Sequence, residues 1–278
     1  MNYIDHTIIE KVYQPRNSNS HKGDYGKILC IAGSEDYSGA AYLATHASIA
    51  TLRTGTDIIT VAAPKKVAWT INSLTPDVIT KKIDCAYFTS NQLDEILDIS
   101  KSFDCILIGP GLGQNSETYL FVNELINKMK KPFIIDADAI KAINLKNVSN
   151  SVITPHRKEL EIIISNSDIS INKDIELQKH IGTNVLLIKD NIDTIITKHE
   201  ILYNKTGNPG MTVGGTGDVL SGLVAGFIAQ GNSLIDSASA SAYLCGYVGD
   251  RLFKENNYGF IASDFINEIP KAIKKIIN

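Results

Sequence analysis

Short apolar runs alternate along this chain with helix-period segments, and glycine- or proline-rich turns separate them. Residues 27–32, 57–62, 104–108, 132–136, 152–153 and 185–189 are the apolar runs, each ending at a turn signal, and they predict strands. Between them, residues 38–53 and 116–130 predict helices, the first rich in small residues and opened by Ser38-Gly39-Ala40. Asp190-Asn191 and His199-Glu200 are tight-turn pairs, so 185–203 is expected to be a strand followed by a short antiparallel meander. From Asp218 onward the pattern is helical over about 218–230, 236–253 and 262–276. Residues 14–20 are a polar lead-in loop. Strand–turn–helix alternation of this kind predicts an α/β fold, with a mostly parallel sheet and helices outside. No repeat or long linker divides it, so one domain over residues 1–278 is the expected organisation.

Composition narrows the function classes. A hydrophobic share of 44% is ample for a buried core. The formal net charge is −3 with the signs mixed, which argues against nucleic acid as a partner. Cys30, Cys85, Cys105 and Cys245 show no metal-type spacing, and Cys30 and Cys105 fall inside apolar runs, as buried thiols do. No signal-peptide pattern opens the chain and no apolar run is long enough to span a bilayer, so a cytoplasmic protein without membrane contact is expected.

The chemistry concentrates in one stretch. Gly214-Gly215-Thr216-Gly217 feeds the apolar helical pattern that begins at Asp218. A glycine loop at a helix N-terminus offers unpaired N–H groups and a partial positive charge, which suits a phosphate or a developing oxyanion. Asp218 alone would be an ordinary first-turn acid. Beside an anion cradle it is placed to take a proton from a hydroxyl attacking phosphorus. Five further segments fall at strand C-termini, where open α/β sheets bind ligands: Gly33-Ser34, Gly109 to Gly113, Asp136 to Asp138, Thr154 to Glu159, and Lys189. Together they assemble anion donors, carboxylates and one histidine. The cradle is neither a P-loop nor a dinucleotide fingerprint, because no Lys-Ser/Thr follows the glycines and no Gly-x-Gly-x-x-Gly follows the first strand.

With these segments in hand, the chain resembles the ADP/ATP-dependent NAD(P)H-hydrate dehydratases of the ribokinase-like superfamily. The resemblance rests on Gly214 to Gly222 (Gly-Gly-Thr-Gly-Asp-Val-Leu-Ser-Gly), Thr154-Pro155-His156-x-x-Glu159 and His21-Lys22-Gly23-Asp24-Tyr25-Gly26. Gly33-Ser34…Gly39-Ala40, Gly109-Pro110-Gly111-Leu112-Gly113 and Asp136-Ala137-Asp138-Ala139 extend it over nearly the whole chain. It implies a ribokinase-like three-layer fold and a repair reaction, in which ADP or ATP drives dehydration of hydrated NADH or NADPH (NADHX, NADPHX).

Position by position, the resemblance implies Asp218 as catalytic base. It implies Ala40, Gly111, Gly113, His156 and Asp218 as hydrate contacts. Lys189, Asp190, Asn191, Ile192, Asp193, Gly215, Thr216 and Gly217 fall at nucleotide positions, and Glu159 at an acidic position that organises Mg²⁺. Relatives usually carry Lys-Gly where this chain has Lys189-Asp190. A carboxylate there repels phosphate unless it turns away or reaches the metal. The resemblance also implies a homotetramer and a functional link to a separate NAD(P)H-hydrate epimerase, no epimerase domain being fused in this chain. The Gly-x-Gly-Asp element alone is equally compatible with a kinase of a small alcohol, of thiazole or pyridoxal type, or with a silent nucleotide binder.

Overall fold

The computed structural model describes residues 1–37 and 39–278, with Ala40 described by its backbone. Ser38, read as part of a helix opening, lies outside the described residues. One sheet of ten strands runs through the molecule in the order β1-β10-β9-β8-β7-β6-β5-β2-β3-β4. Its parallel body comprises β2 (Lys27–Ile31), β3 (Ile58–Pro64), β4 (Ile79–Ile83), β5 (Cys105–Ile108), β6 (Phe133–Ile135), β7 (Ser151–Ile153) and β8 (Val185–Ile188). The meander expected after residue 185 is present: β9 (Asp193–Ile196) pairs antiparallel with β8 and with β10 (Ile201–Asn204). β1 (Asn2–Tyr3) adds a two-residue edge beside β10.

Alternate residues of each strand feed two separate cores, because successive side chains point to opposite faces. Ile28, Cys30, Cys105, Leu107 and Ile134 face α1 (Thr7–Val12), α2 (Ala40–Arg53), α3 (Lys65–Leu74), α7 (Thr216–Ala229), α8 (Leu234–Asn256) and α9 (Ala262–Ile277). Leu29, Ile31, Ile106, Ile108 and Ile135 face α4 (Leu93–Ser100), α5 (Ser116–Lys128) and α6 (Arg157–Asn166). The sheet is therefore the middle of three layers. Buried in the first core, the Cys30 thiol is pushed up to about 12 by desolvation, so at neutral pH it packs as a small apolar group.

β4 carries no strong strand signal in sequence, for a physical reason. β4 is an edge strand whose residues Ile79, Lys81 and Lys82 are exposed, so it lacks the continuous apolar run of its buried neighbours.

The helix that carries the cradle is held by unusually close packing. A Cβ on Gly222 would lie 2.1 Å from the Ala47 carbonyl oxygen of α2, and one on Gly226 would lie 2.2 Å from Thr54 Oγ1. Across this seam the Thr51 hydroxyl donates to the Gly222 carbonyl (2.9 Å) and Thr56 to that of Gly226 (3.0 Å). We expect Gly222→Ala to cost roughly 2–4 kcal/mol by forcing α2 and α7 apart. Urea unfolding measures this; an unchanged midpoint would mean the two helices separate freely.

Candidate active site

The order of strands reverses between β2 and β5, since β3 and β4 extend the sheet one way and β6 to β8 the other. At such a switch point the loops diverge and leave a crevice at the strand C-termini. Gly33 N–H donates to the Pro110 carbonyl (2.9 Å), tying the loop after β2 to the loop after β5. Two cavities open beside this tie. One, of about 390 Å³, is lined by Ser34, Tyr37, Leu112 and Gly113 among others; the second, of about 290 Å³, shares Ser34 and Tyr37 with it.

All five rim segments lie on this edge, because β2, β5, β6, β7 and β8 run parallel. Bonds connect several of them. Gly113 N–H donates to Asp138 Oδ2 (3.0 Å), whose other oxygen meets Lys141 (2.9 Å). Asp136, 2% exposed, accepts from the Thr154 hydroxyl (2.7 Å) and from Lys189 Nζ (3.1 Å). Glu159 Oε2 lies 4.0 Å from the same ammonium. Burial opposes the Lys189 charge, but Asp136 and Glu159 outweigh it and hold the ammonium above its ordinary range. Lys189 is thus charged, and a Cβ on Gly217 would come within 3.5 Å of its Nζ.

The cradle forms as the glycines require. Gly215, at φ +96°, caps α7 in the left-handed region, a conformation most residues avoid. Val219 N–H already bonds to Gly215 O (3.1 Å). The N–H groups of Thr216, Gly217 and Asp218 precede it in the first turn, where an α-helix supplies no partner. Asp218 Oδ1 is buried and without a hydrogen-bond partner. Burial first, then the negative charge of Asp136, pushes this carboxyl up to about 7, while Lys189 pulls the other way. A buried acid kept near neutrality, beside unpaired amides and a cation, can accept a proton and stabilise an anion in one place.

His156 and Glu159 form a reciprocal cap on α6. Glu159 Oε2 accepts from His156 N–H (2.9 Å), and His156 Nδ1 accepts from Glu159 N–H (3.2 Å). With Nδ1 used as an acceptor, the neutral ring carries its proton on Nε2, and the imidazole is half exposed beside the crevice. Among the described residues, no three His, Cys, Asp or Glu side chains converge to hold a metal ion. Glu159 offers a carboxylate edge, most of it already engaged by its own helix.

The turn after β8 answers the question posed by Asp190. Its Oδ2 accepts from Arg157 Nε (2.7 Å), and Arg157 Nη1 reaches Asp174 (2.6 Å). The Arg157 bond holds the Asp190 carboxyl below its usual range. Asp190 is therefore paired with a cation of α6. Asn191 donates its N–H to Asp190 Oδ1 (2.8 Å), and Ile192 is exposed at the tip. Asp193 Oδ1 accepts from Asp190 N–H (3.2 Å) and closes the turn. Burial pushes the Asp193 carboxyl up to about 6, with the Asn204 bond pulling down.

Gly111 and Gly113 sit in the turn after β5, and Ala40 begins α2 beyond the loop after β2. The His21-Lys22-Gly23-Asp24-Tyr25-Gly26 segment lies elsewhere. Gly23 and Tyr25 donate their N–H groups to Asp57 Oδ2 (2.8 and 3.0 Å) just before β3, at the N-terminal edge of the sheet. Arg157, Tyr37 and the Asp136–Lys189 contact carry no role that the sequence alone assigns. Their partners are 33 to 53 residues distant (Arg157–Asp190 and Asp136–Lys189), and only the Lys-Asp dipeptide signals that a compensating cation is needed.

Known proteins resemble this chain in sequence and in fold. A family model described as NAD(P)H-hydrate dehydratase matches residues 28–271. A bifunctional NAD(P)H-hydrate repair enzyme of Methanothermobacter thermautotrophicus is 37% identical over 270 residues, covering 93% of this chain and 51% of the relative. One from Methanocaldococcus jannaschii is 36% identical, covering 95% and 51%. The chain spans about half the length of these curated relatives. A ribokinase-like superfamily protein of Enterococcus faecalis superposes with a TM-score of 0.83 at 26% identity, over 99% of this chain and 96% of that one. An ADP/ATP-dependent NAD(P)H-hydrate dehydratase of Bacillus subtilis, co-crystallized with ATP and Mg²⁺, shares the fold with a TM-score of 0.83 at 22% identity, over 99% and 98%. The three-layer architecture is ribokinase-like.

Proposed function

The chain belongs to the NAD(P)H-hydrate dehydratase family, and from that membership and the crevice we propose that it dehydrates the 6S hydrates of NADH and NADPH at the expense of ADP or ATP. The observation that carries the reading is Asp218: a buried, unpartnered carboxylate oxygen in the first turn of α7, with its carboxyl pushed up to about 7. A base of that strength is matched to removing a proton from an alcohol near neutral pH.

In this reading Asp218 takes the proton of the hydrate hydroxyl as its oxygen attacks the terminal phosphorus of the nucleotide. The new O–P bond forms and the bond to the departing AMP (from ADP) or ADP (from ATP) breaks. The N–H groups of Gly215, Thr216 and Gly217, with Lys189 beside them, hold the negative charge that develops. Phosphate then leaves with the C–O bond, a proton is lost from the neighbouring ring carbon, and the ring double bond is restored. Phosphate is a far better leaving group than hydroxide, which is why a nucleotide is consumed. Residues 189–193 are assigned to the nucleotide. Ala40, Gly111, Gly113 and His156 are assigned to the hydrate, and Gly113 also lines the larger of the two cavities beside Tyr37.

Among the described residues no three carboxylates converge to hold a metal ion, so Mg²⁺ would arrive with the nucleotide phosphates and meet a single hard oxygen donor of the protein. Glu159 is the residue that would hold it. When bound, Mg²⁺ neutralises phosphate charge. The relatives' names as bifunctional repair enzymes support a functional link to a second activity, which we take to be NAD(P)H-hydrate epimerase. A cytoplasmic homotetramer completes the reading. Among the described residues no helix is long and apolar enough to cross a membrane.

The test is direct. Protein incubated with hydrated NADH, Mg²⁺ and either ADP or ATP is expected to restore the absorbance of reduced nicotinamide only when nucleotide is present. No recovery with either nucleotide, from folded protein, would redirect the assignment to a kinase of a small alcohol.

A further inference from the structure

Asn204, at the end of β10, has no exposed surface, yet it joins three functional segments. Its amide donates to Asp193 Oδ2 (2.9 Å) and to the Ala242 carbonyl of α8 (3.1 Å). Its oxygen accepts from the Thr206 N–H (3.3 Å) and hydroxyl (2.9 Å), the latter shared with the Tyr243 carbonyl (3.1 Å). On one side, therefore, Asn204 grips the carboxylate that closes residues 190–193. On the other it anchors the loop running to the glycine cradle. That loop is fastened further on, where Asp250 of α8 accepts from Gly207 N–H and Asn208 Nδ2 (both 3.0 Å), and Asn208 Oδ1 accepts from Gly210 N–H (3.0 Å).

A partly buried carboxylate is oriented largely by its protein partners. For Asp193 those partners are Asp190 N–H within the turn and Asn204 across the sheet edge. Asp193 and Asn204 are register partners of β9 and β10, so without the second bond the strands stay paired but the carboxylate that closes the turn loses its fixed orientation.

We propose that Asn204 is a positioning residue for the nucleotide: it orients the Asp193 carboxylate that closes residues 190–193 and at the same time anchors the loop leading to the Gly215–Gly217 cradle. The proposal rests on the reading of residues 189–193 as the nucleotide turn. Having no exposed surface, Asn204 cannot touch the nucleotide itself. A purely structural asparagine would lower stability without a selective effect on one substrate.

Asn204→Asp separates these roles. It keeps acceptors for Thr206 but sets two carboxylates face to face where the 2.9 Å bond stood. We expect the KM for nucleotide to rise about tenfold, with the KM for hydrate and the kcat at saturating nucleotide within about threefold of wild type. Asn184→Ala is the stability control. That asparagine is 2% exposed, donates to the Val148 carbonyl (2.7 Å) and accepts from Ser151 N–H (3.1 Å) at the far end of β8. It should lower the Tm and leave the nucleotide KM alone.

If Asn204→Asp does not fold, Asn204→Ser, too short to reach Asp193, is measured for nucleotide Kd by calorimetry with the same expectation. A folded variant whose nucleotide affinity stays within about twofold overturns the proposal. So does a rise shared equally by both substrates or matched by Asn184→Ala. Wild-type protein that binds no nucleotide would overturn the proposed function first and this joint with it.

Discussion

Asp218→Asn is expected to lower turnover by roughly two to four orders of magnitude while nucleotide affinity changes by less than about threefold. The amide keeps the shape of the side chain and the first-turn N–H groups, but it cannot take the proton. Stopped assays with both nucleotides, alongside calorimetric nucleotide binding, read the two quantities separately. Wild-type turnover in this variant would move the base to another residue.

The same substitution carries an opposite effect on stability, with a defined pH window. The Asp218 carboxyl is raised from its ordinary 3.8 to about 7 in the folded chain. The native state therefore binds more protons than the unfolded state between these values, and stability falls as pH rises through the window. Below about pH 4 both states are protonated and no penalty exists; above about pH 7 it is fully present. The amide of the variant carries no charge at any pH. We expect Asp218→Asn, free of nucleotide, to match wild type near pH 4 and to be more stable by about 1–3 kcal/mol at pH 8. Equal midpoints at both pH values would show that the carboxylate is better solvated than its position implies.

Gly109→Ala should be among the most destabilising single changes in the chain. Gly109 has φ +135°, and an added Cβ would lie 1.7 Å from the Asp136 carbonyl oxygen and 3.3 Å from Ala139 Cβ. Neither neighbour is the end of a flexible side chain. The loop after β5 and the segment after β6 would have to separate, moving Asp136 away from Lys189. A loss above about 4 kcal/mol is expected, seen as insoluble protein or a Tm lowered by roughly 10 °C or more. Gly182→Ala is the comparison: φ is +57° and nothing lies within 4 Å of the added Cβ. It should cost about 1 kcal/mol, the ordinary penalty for a left-handed alanine. Similar losses at both positions would show that the crowding at Gly109 relaxes easily.

The sequence by itself determined what local chemistry controls. The buried strands from β2 to β8, apart from the exposed edge strand β4, were legible because a parallel strand covered on both faces must be apolar throughout. The start of α7 was legible because a glycine run leaves the first-turn amides bare and readily adopts a turn before a helix, here the left-handed cap at Gly215. The C-terminal rim followed from alternation alone, since parallel strands place their C-termini on one edge. The motifs at Gly214 to Gly222 and Thr154 to Glu159 carried the family resemblance, because both are contiguous in the chain.

Tertiary structure decided whatever depends on partners distant in sequence. That Asp190 is neutralised by Arg157 of α6 and that Lys189 is charged against Asp136 are contacts between segments far apart in the chain, while the Asp193–Asn204 bond joins register partners of β9 and β10. No local pattern encodes the first two, because a hydrogen bond across 33 to 53 residues leaves no periodic trace. β4 and β1 escaped for a related reason: edge strands face water, carry polar residues, and exist because a neighbour supplies their hydrogen bonds. The strength of the Asp218 base likewise belongs to the fold. An aspartate becomes a base for neutral pH only when burial and a second carboxylate, brought from another strand, make its charge costly.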